Sequence, residues 1–121
     1  RCSAAAAASI AANHVVALMG QVERVAGEAG LPLDAFAGLI RAAMEDAVAL
    51  GPAAALTGPA ARGDWETIAR HRAVLGGMAQ GSSELDAYDA LVDQARRLVD
   101  HPAPVEAAPV AMSPRAVRDA A

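Results

Sequence analysis

The apolar positions along the chain predict four main helices and no strand. Apolar side chains recur at intervals of three and four residues, the spacing that places them on one face of a helix, over 3–29, 32–50, 64–76 and 83–100. No segment alternates apolar and polar residues as a half-buried strand does. The pattern therefore predicts an all-α fold, a helical bundle with one long N-terminal helix.

The N-terminal helix is amphipathic only in its second half, since its first half is apolar on every side. It carries no formal charge from Cys2 to Val22. Asn13 and His14 would lie near the middle of a membrane span, where polar groups are costly, and a secretory signal would be rich in leucine rather than alanine. We interpret the segment as a helix buried on nearly all sides, in a cytoplasmic protein.

A helix of this length needs cover from other helices, another domain or a second copy. At ~1.5 Å per residue it is roughly 40 Å long. Its many small residues let neighbouring backbones approach closely, and the chain offers few large side chains to cover it. We therefore expect a homodimer built mainly on the first two helices.

Glycine, proline and capping residues predict where the helices end. Gly30 is placed to end the first helix, and Asp64 is a good N-cap for the third. Ser83 and Asp86 resemble a capping box at the start of the fourth. Residues 1–100 are thus predicted to form one helical domain, and the proline-rich segment 101–121 to form an extended, weakly ordered tail.

Composition narrows the classes of function. The 121 residues are 55% hydrophobic, and all ten basic residues are arginine, so lysine chemistry and a phosphate-binding loop lysine are excluded. The net charge of −4 argues against a nucleic-acid surface. A single cysteine, Cys2, excludes an internal disulfide and a cysteine-based zinc site. The histidines His14, His71 and His101 lack metal-ligand spacing, and we expect no metal.

Two polar residues interrupt the apolar N-terminal helix. Ser9 and Asn13 are four residues apart and so lie on the same face. Buried polar groups need partners. Either the two side chains form a hydrogen bond to another helix, or they line a substrate cleft.

The loop 57–64 and the helix after it hold the other candidate substrate-binding residues. Arg62 is a bidentate donor suited to a carboxylate or phosphate, and we expect the loop at the surface near Asn13. The alternative is structural: Arg62 pairs with a nearby acid while Asp64 and Thr67 cap a helix. The candidates in this region are Thr57, Arg62, Asp64, Thr67 and His71.

Several segments together resemble the C-terminal half of bacterial Rossmann-like oxidoreductases, the half catalogued as domain of unknown function 2520. The resemblance covers roughly 3–99, and its specific part is the run Ala-Leu-Thr-Gly-Pro followed by Arg-Gly-Asp. The segments are Ala12-Asn13-His14-Val15-Val16-Ala17-Leu18, Ala29-Gly30-Leu31-Pro32, Gly51-Pro52-Ala53-Ala54-Ala55-Leu56-Thr57-Gly58-Pro59, Arg62-Gly63-Asp64, Thr67 and Arg70-His71.

The resemblance implies an N-terminal dinucleotide-binding domain followed by a helical domain similar to the C-terminal domain of 6-phosphogluconate dehydrogenase. Pyrroline-5-carboxylate reductase and ketopantoate reductase, in the same superfamily, dimerise through this domain and bind substrate between it and the cofactor domain. In some branches a lysine and an asparagine, one turn apart on the first helix, handle substrate. Asn13 fits that asparagine, but Ser9 replaces the lysine. Ala4 and Ala5 replace a Tyr-His pair common in the family.

We therefore expect the C-terminal dimerisation and substrate-facing domain of an NAD(P)-dependent oxidoreductase acting on a small carbonyl or hydroxy compound. The chain starts at Arg1 and contains no Gly-x-Gly-x-x-Gly turn after a strand. We interpret it as a piece of a longer protein whose Rossmann domain, absent here, binds NAD or NADP, so this chain alone should hold no cofactor and be inactive. The alternative is a non-catalytic helical module that binds a partner or ligand without turnover.

Overall fold

The structure is a computed structural model that describes residues 2–99. No strand occurs within these residues, which confirms the predicted all-α fold. The elements are α1 (Cys2–Ser9), a π-helical segment (Ile10–His14), α2 (Val15–Glu28), a 3₁₀ turn (Leu33–Phe36), α3 (Ala37–Leu50), α4 (Pro52–Ala55), α5 (Pro59–Arg62), α6 (Trp65–Gly76) and α7 (Gly81–Val99). The predicted tail, 101–121, lies outside the described residues.

The N-terminal helix runs without a break from Cys2 to Glu28, close to the predicted 3–29. It ends where the sequence predicts. Gly30 has a φ of 73°, a left-handed conformation that glycine adopts without steric cost. The amide of Gly30 donates to the carbonyl of Gly27, and the amide of Leu31 to that of Ala26, both at 3.0 Å. These two bonds form a Schellman motif that satisfies carbonyls at the helix end.

The other described residues do not bury this helix, so the predicted burial on nearly all sides is not formed within residues 2–99. Neither α1 nor the π-helical segment contains a buried residue, and in α2 only Ala26 is buried. The physical reason is that the rest of residues 2–99 does not cover the helix. By length and composition, Cys2–Glu28 could cross a membrane, a property that core helices of soluble proteins and signal sequences share.

The chain divides into two compact units between Arg41 and Ala42. The first unit contains the N-terminal helix, the 3₁₀ turn and the start of α3. Among the apolar positions of the second predicted helix, 32–50, Leu33, Phe36, Ile40 and Ala47 are half-buried, whereas Ala43 and Met44 are exposed. No residue of α3 is fully buried.

The second unit has a hydrophobic core in which α5, α6 and α7 meet. Ala60, Ile68 and Val92 are buried together, one from each of these helices. Trp65, Tyr88 and Ala95 pack against them and remain partly exposed. Leu75 and Leu85 are also buried, in α6 and α7 respectively. This core positions the residues of the loop 57–64 and the helix that follows.

The connection between α6 and α7 differs from the prediction. Helix α7 begins at Gly81 rather than near Ser83, so Ser83 and Asp86 lie inside the helix and do not form a capping box. The start is earlier because Gly81 is buried against the end of α6. A Cβ on Gly81 would lie 2.5 Å from the carbonyl oxygen of Gly76. Only glycine permits this approach without a shift of the backbone.

Candidate functional site

The candidate residues Ser9 and Asn13 belong to the first unit. Ser9, at the end of α1, is half-buried, and Asn13 is exposed in the π-helical segment. Neither side chain forms a hydrogen bond with another described residue. The structural alternative for this pair, a hydrogen bond between helices, is therefore not formed among residues 2–99.

The loop 57–64 follows a fixed path because two glycines adopt positive φ angles. Gly58 has a φ of 93° and precedes Pro59, the first residue of α5. Gly63 has a φ of 69° and ends that helix. The amide of Asp64 then donates to the carbonyl of Pro59 at 2.8 Å. This geometry makes Asp64 both the residue that closes α5 and the N-cap of α6.

Asp64 caps α6 with both carboxylate oxygens, as the sequence predicts. Its Oδ1 accepts from the Thr67 amide at 3.1 Å, and its Oδ2 from the Thr67 hydroxyl at 2.7 Å. The hydroxyl contributes most to lowering the pKa of Asp64 below its usual 3.8, followed by the amide. Desolvation opposes this shift, and the charges of Arg62 and then Arg70 make the smallest contributions to lowering the pKa. The carboxylate is thus held ionised at the helix N-terminus.

The two arginines near this cap are held differently. Arg70 donates from Nη1 to Glu66 Oε1 and from Nη2 to the Thr67 hydroxyl, both at 2.9 Å. Arg62 lies 3.7 Å from Asp64 Oδ2, and 62% of its side chain is exposed. Exposed ion pairs of this length contribute little. Arg62 therefore keeps most of its donors for solvent or a ligand.

His71 contacts an aromatic residue of α7. Its Nδ1 lies 2.9 Å from the hydroxyl of Tyr88, and the two rings meet edge to face with centroids 6.0 Å apart. Burial raises the pKa of Tyr88 to about 12, the charge of Asp89 adds to the rise, and Arg72 opposes it. The pair joins α6 to α7. No sequence signal could have found it, because it depends on how the two helices align.

A buried ion pair lies beside it. Arg72 is fully buried and donates from Nε and Nη2 to the two carboxylate oxygens of Asp89, at 2.7 and 2.8 Å. Sequence reasoning missed this residue. The signal was its position, four residues after Ile68 and three before Leu75, on the buried face of α6. We assign Arg72 a structural role, because none of it reaches the surface.

The structure thus brings together three predicted residues, Arg62, Asp64 and Thr67, at the start of α6. Arg70 joins this cluster, and His71 lies one helical turn after Thr67. Thr57 is exposed and bonds through its side chain to no other described residue. Ser9 and Asn13 lie in the other unit, so their predicted proximity to the loop remains a prediction. Within residues 2–99, no cluster of His, Cys, Asp or Glu could hold a metal ion.

The fold and the site together define an all-α domain. Its long apolar N-terminal helix is not covered by the other described residues, and the helical unit that follows has its own core and a polar cluster at the start of α6. The chain belongs to the family named Domain of unknown function (DUF2520), whose model matches residues 2–95. This match confirms the predicted resemblance to domain of unknown function 2520. No curated protein and no solved structure matches the chain.

Proposed function

We propose that this chain is the C-terminal dimerisation and substrate-facing domain of an NAD(P)-dependent oxidoreductase that acts on a small carbonyl or hydroxy compound. The described residues contain no strand, and therefore no strand–turn–helix cradle for a dinucleotide. In this proposal a separate Rossmann domain holds NAD or NADP, and the protein works in the cytoplasm.

The observation that carries the proposal is the uncovered apolar surface of the N-terminal helix and α3. In the N-terminal helix, Ile10 is 55% exposed and Val16 is 70% exposed. On α3, Leu39 is 70% exposed and Val48 is 89% exposed. Large exposed apolar surfaces of this kind mark sites of protein association. The proposal assigns this surface to a second copy and to the cofactor domain.

The N-terminal helix also supports the substrate-facing role. Its apolar surface is interrupted by Ser9 and Asn13, at the point where the helix takes up five residues of π-helix. Such π-helical turns occur frequently at functional sites. An amide side chain there can donate to and accept from a carbonyl or hydroxyl group. We assign Asn13 the orientation of substrate, the contribution that correct positioning makes to catalysis.

In the second unit, Arg62 is the substrate-facing candidate. Its exposed guanidinium suits a carboxylate or phosphate group. The competing interpretation, a non-catalytic module with a purely structural loop, is favoured by one observation: both oxygens of Asp64 are already used by Thr67. The two interpretations differ in what Arg62 does, because only the first gives it a ligand.

The test of activity uses the full-length protein with NADH or NADPH and a panel of small aldehydes, ketones and hydroxy acids. We expect turnover of at least one class, and we expect Asn13→Ala and Arg62→Ala to raise KM or abolish turnover at unchanged stability. Glu45→Gln, on an exposed position of α3, is the control. If neither cofactor binds in calorimetry and no compound turns over, the module interpretation is correct.

The test of association uses light scattering on this chain at micromolar concentration. An obligate interface should bury well over ~2,000 Å² in total. Val16→Asp, which places a charge on the exposed apolar face, should produce monomers, whereas Glu23→Gln, on an exposed position of the same helix, should not. A wild-type monomer would contradict the proposed dimer.

A further inference from the structure

We propose that His71 is the acid–base group of the proposed reaction and that Tyr88 is the residue that positions it. In this inference, Nε2 of His71 gives a proton to the oxygen of a bound carbonyl compound and takes it back from the hydroxyl group in the reverse direction. The inference rests on the proposed function, because it assumes that a carbonyl compound is reduced at this domain.

The geometry leaves one ring nitrogen of His71 accessible. The side chain is exposed, one helical turn after Thr67, and its Nδ1 is engaged by the Tyr88 hydroxyl at 2.9 Å. His71 has no further hydrogen bond among residues 2–99. Nε2 can therefore reach a ligand while the ring is held from the other side.

A tyrosine hydroxyl is a partner that serves both charge states of the ring. Its oxygen accepts a hydrogen bond from the Nδ1 proton when the imidazole is charged, and it accepts from the same proton after the ring has lost its Nε2 proton and become neutral. A carboxylate in its place would favour the charged form alone. With its pKa at about 12, Tyr88 keeps its own proton at neutral pH. In this inference the proton of the neutral ring is on Nδ1 and donates to this hydroxyl, so Nε2 is unprotonated and can take a proton from a substrate hydroxyl group.

The charged groups on the elements packed around His71 are largely matched in pairs. On α6, Arg70 is held by Glu66, and the buried Arg72 is held by Asp89 of α7. From the end of α5, Arg62 lies within 3.7 Å of Asp64. Glu84 of α7 is buried and has interactions of its own. No carboxylate among the described residues forms a hydrogen bond with the ring of His71, so Tyr88 is its direct partner.

The proton step balances as follows in the direction of reduction. The charged ring gives up its Nε2 proton: the Nε2–H bond breaks, its electron pair stays on Nε2, and an O–H bond forms on the substrate, whose carbonyl carbon would receive a hydride from a dihydronicotinamide, the cofactor class of the proposed function. The ring is left neutral, with its remaining proton on Nδ1. The ring then regains a proton from water, to which it is exposed. Histidine is the side chain best suited to this exchange near neutral pH. The chain has no lysine that could take this role. His14, the other described histidine, has no bonding partner within residues 2–99.

The first arm of the test measures the tautomer of His71 by ¹⁵N NMR on the 121-residue chain, with the signal assigned through His71→Gln. We expect the neutral ring to carry its proton on Nδ1, and we expect Tyr88→Phe to let the Nε2-protonated form appear. If wild type shows a mixture, or if Tyr88→Phe changes nothing, the positioning role of Tyr88 is wrong, whatever the function of the domain.

The second arm measures turnover by the full-length protein, with NADPH or NADH and the carbonyl compound that the panel identifies. General acid–base groups contribute typically about 10²- to 10⁴-fold, so His71→Gln should lower kcat by that factor with little change in KM or in cofactor affinity. Tyr88→Phe should move the basic limb of the kcat–pH profile at unchanged thermal stability, because the ring must be protonated to give a proton to the carbonyl oxygen. His14→Gln should leave kcat unchanged.

The outcomes separate the inference from the proposed function. If wild type turns over a carbonyl compound and His71→Gln retains its kcat, the inference is wrong and the proposed function stands. If His14→Gln abolishes turnover instead, the acid–base role belongs to the first unit. If wild type turns over no carbonyl compound, the proposed function and the inference both fail, and only the tautomer measurement stands.

Discussion

The two units of this chain bury their side chains to very different extents. In the first unit, Ala26 is the only described residue that is fully buried, and the N-terminal helix is exposed along most of its length. In the second unit, three helices enclose a core that includes Ile68, Leu85 and the charged Arg72. The second unit supplies its own packing, whereas the first presents apolar surface that the described residues 2–99 leave uncovered.

This difference shows that a sequence can form a helix without burying the apolar area that stabilises tertiary structure. An alanine-rich segment forms a helix because alanine loses no side-chain entropy in it, even without neighbours. Burial of apolar area, which stabilises tertiary structure, needs large side chains and a surface to pack on. The first unit has the helix but lacks that surface within residues 2–99.

The largest expected effect is on the buried ion pair of the second unit. Arg72→Ala empties a fully buried position and leaves Asp89, 22% of whose side chain is exposed, without its partner. Breaking a buried pair typically costs about 3–5 kcal/mol, and we expect the lower end of that range because water can reach Asp89. Arg70→Ala, which removes an exposed pair with Glu66, should cost less than about 1 kcal/mol. Urea unfolding followed by the fluorescence of Trp65 measures both. Equal effects would show that Arg72 is not buried as described.

Glycine substitutions sharpen the contrast between the units. Gly81→Ala places a Cβ against the carbonyl of Gly76, and crowding of this kind costs about 1–3 kcal/mol. Gly38→Ala, in α3, meets nothing within 4 Å. It should instead stabilise the helix by up to about 1 kcal/mol, the difference in helix propensity. Thermal unfolding of the two variants checks the opposite signs.

Dilution distinguishes the units without a mutation. If a second copy covers the first unit, the stability of the first unit depends on protein concentration. Each tenfold dilution should lower the free energy of unfolding by about 1.4 kcal/mol per mole of dimer. The core around Ile68 belongs to one chain and should respond less. Hydrogen exchange of the α2 and α7 amides at two concentrations tests this expectation. Concentration-independent protection in both helices would contradict it.

The smallest expected effect concerns the cap of α6. Asp64→Ala should lower the midpoint of thermal unfolding, because the Thr67 amide loses its acceptor. Arg62→Ala should leave that midpoint nearly unchanged. The pKa of Asp64 is lower in the folded chain than its usual 3.8. Its stabilisation is therefore complete above that value and is lost as the pH falls through the folded pKa. The wild type and the Asp64→Ala variant should therefore have similar stabilities in strong acid.

The sequence predicted the four main helices, the cap at Asp64 and the helix end at Gly30, because each depends on residues within a few positions along the chain. It also predicted that Arg62, Asp64 and Thr67 lie together, since they span little more than one turn. The capping box at Ser83 was a wrong prediction, because the position of α7 depends on the close packing of Gly81 against α6 rather than on local hydrogen bonding.

Only the tertiary structure decided the contacts between α6 and α7. His71 meets Tyr88, and Arg72 meets Asp89, each across 17 positions of sequence. Helical periodicity specifies which residues share a face, but it does not specify which residue of another helix stands opposite. That alignment results from the packing of Ile68 and Val92 in one core. Packing is a property of the whole unit, so no local pattern could have placed a tyrosine hydroxyl on Nδ1 of His71.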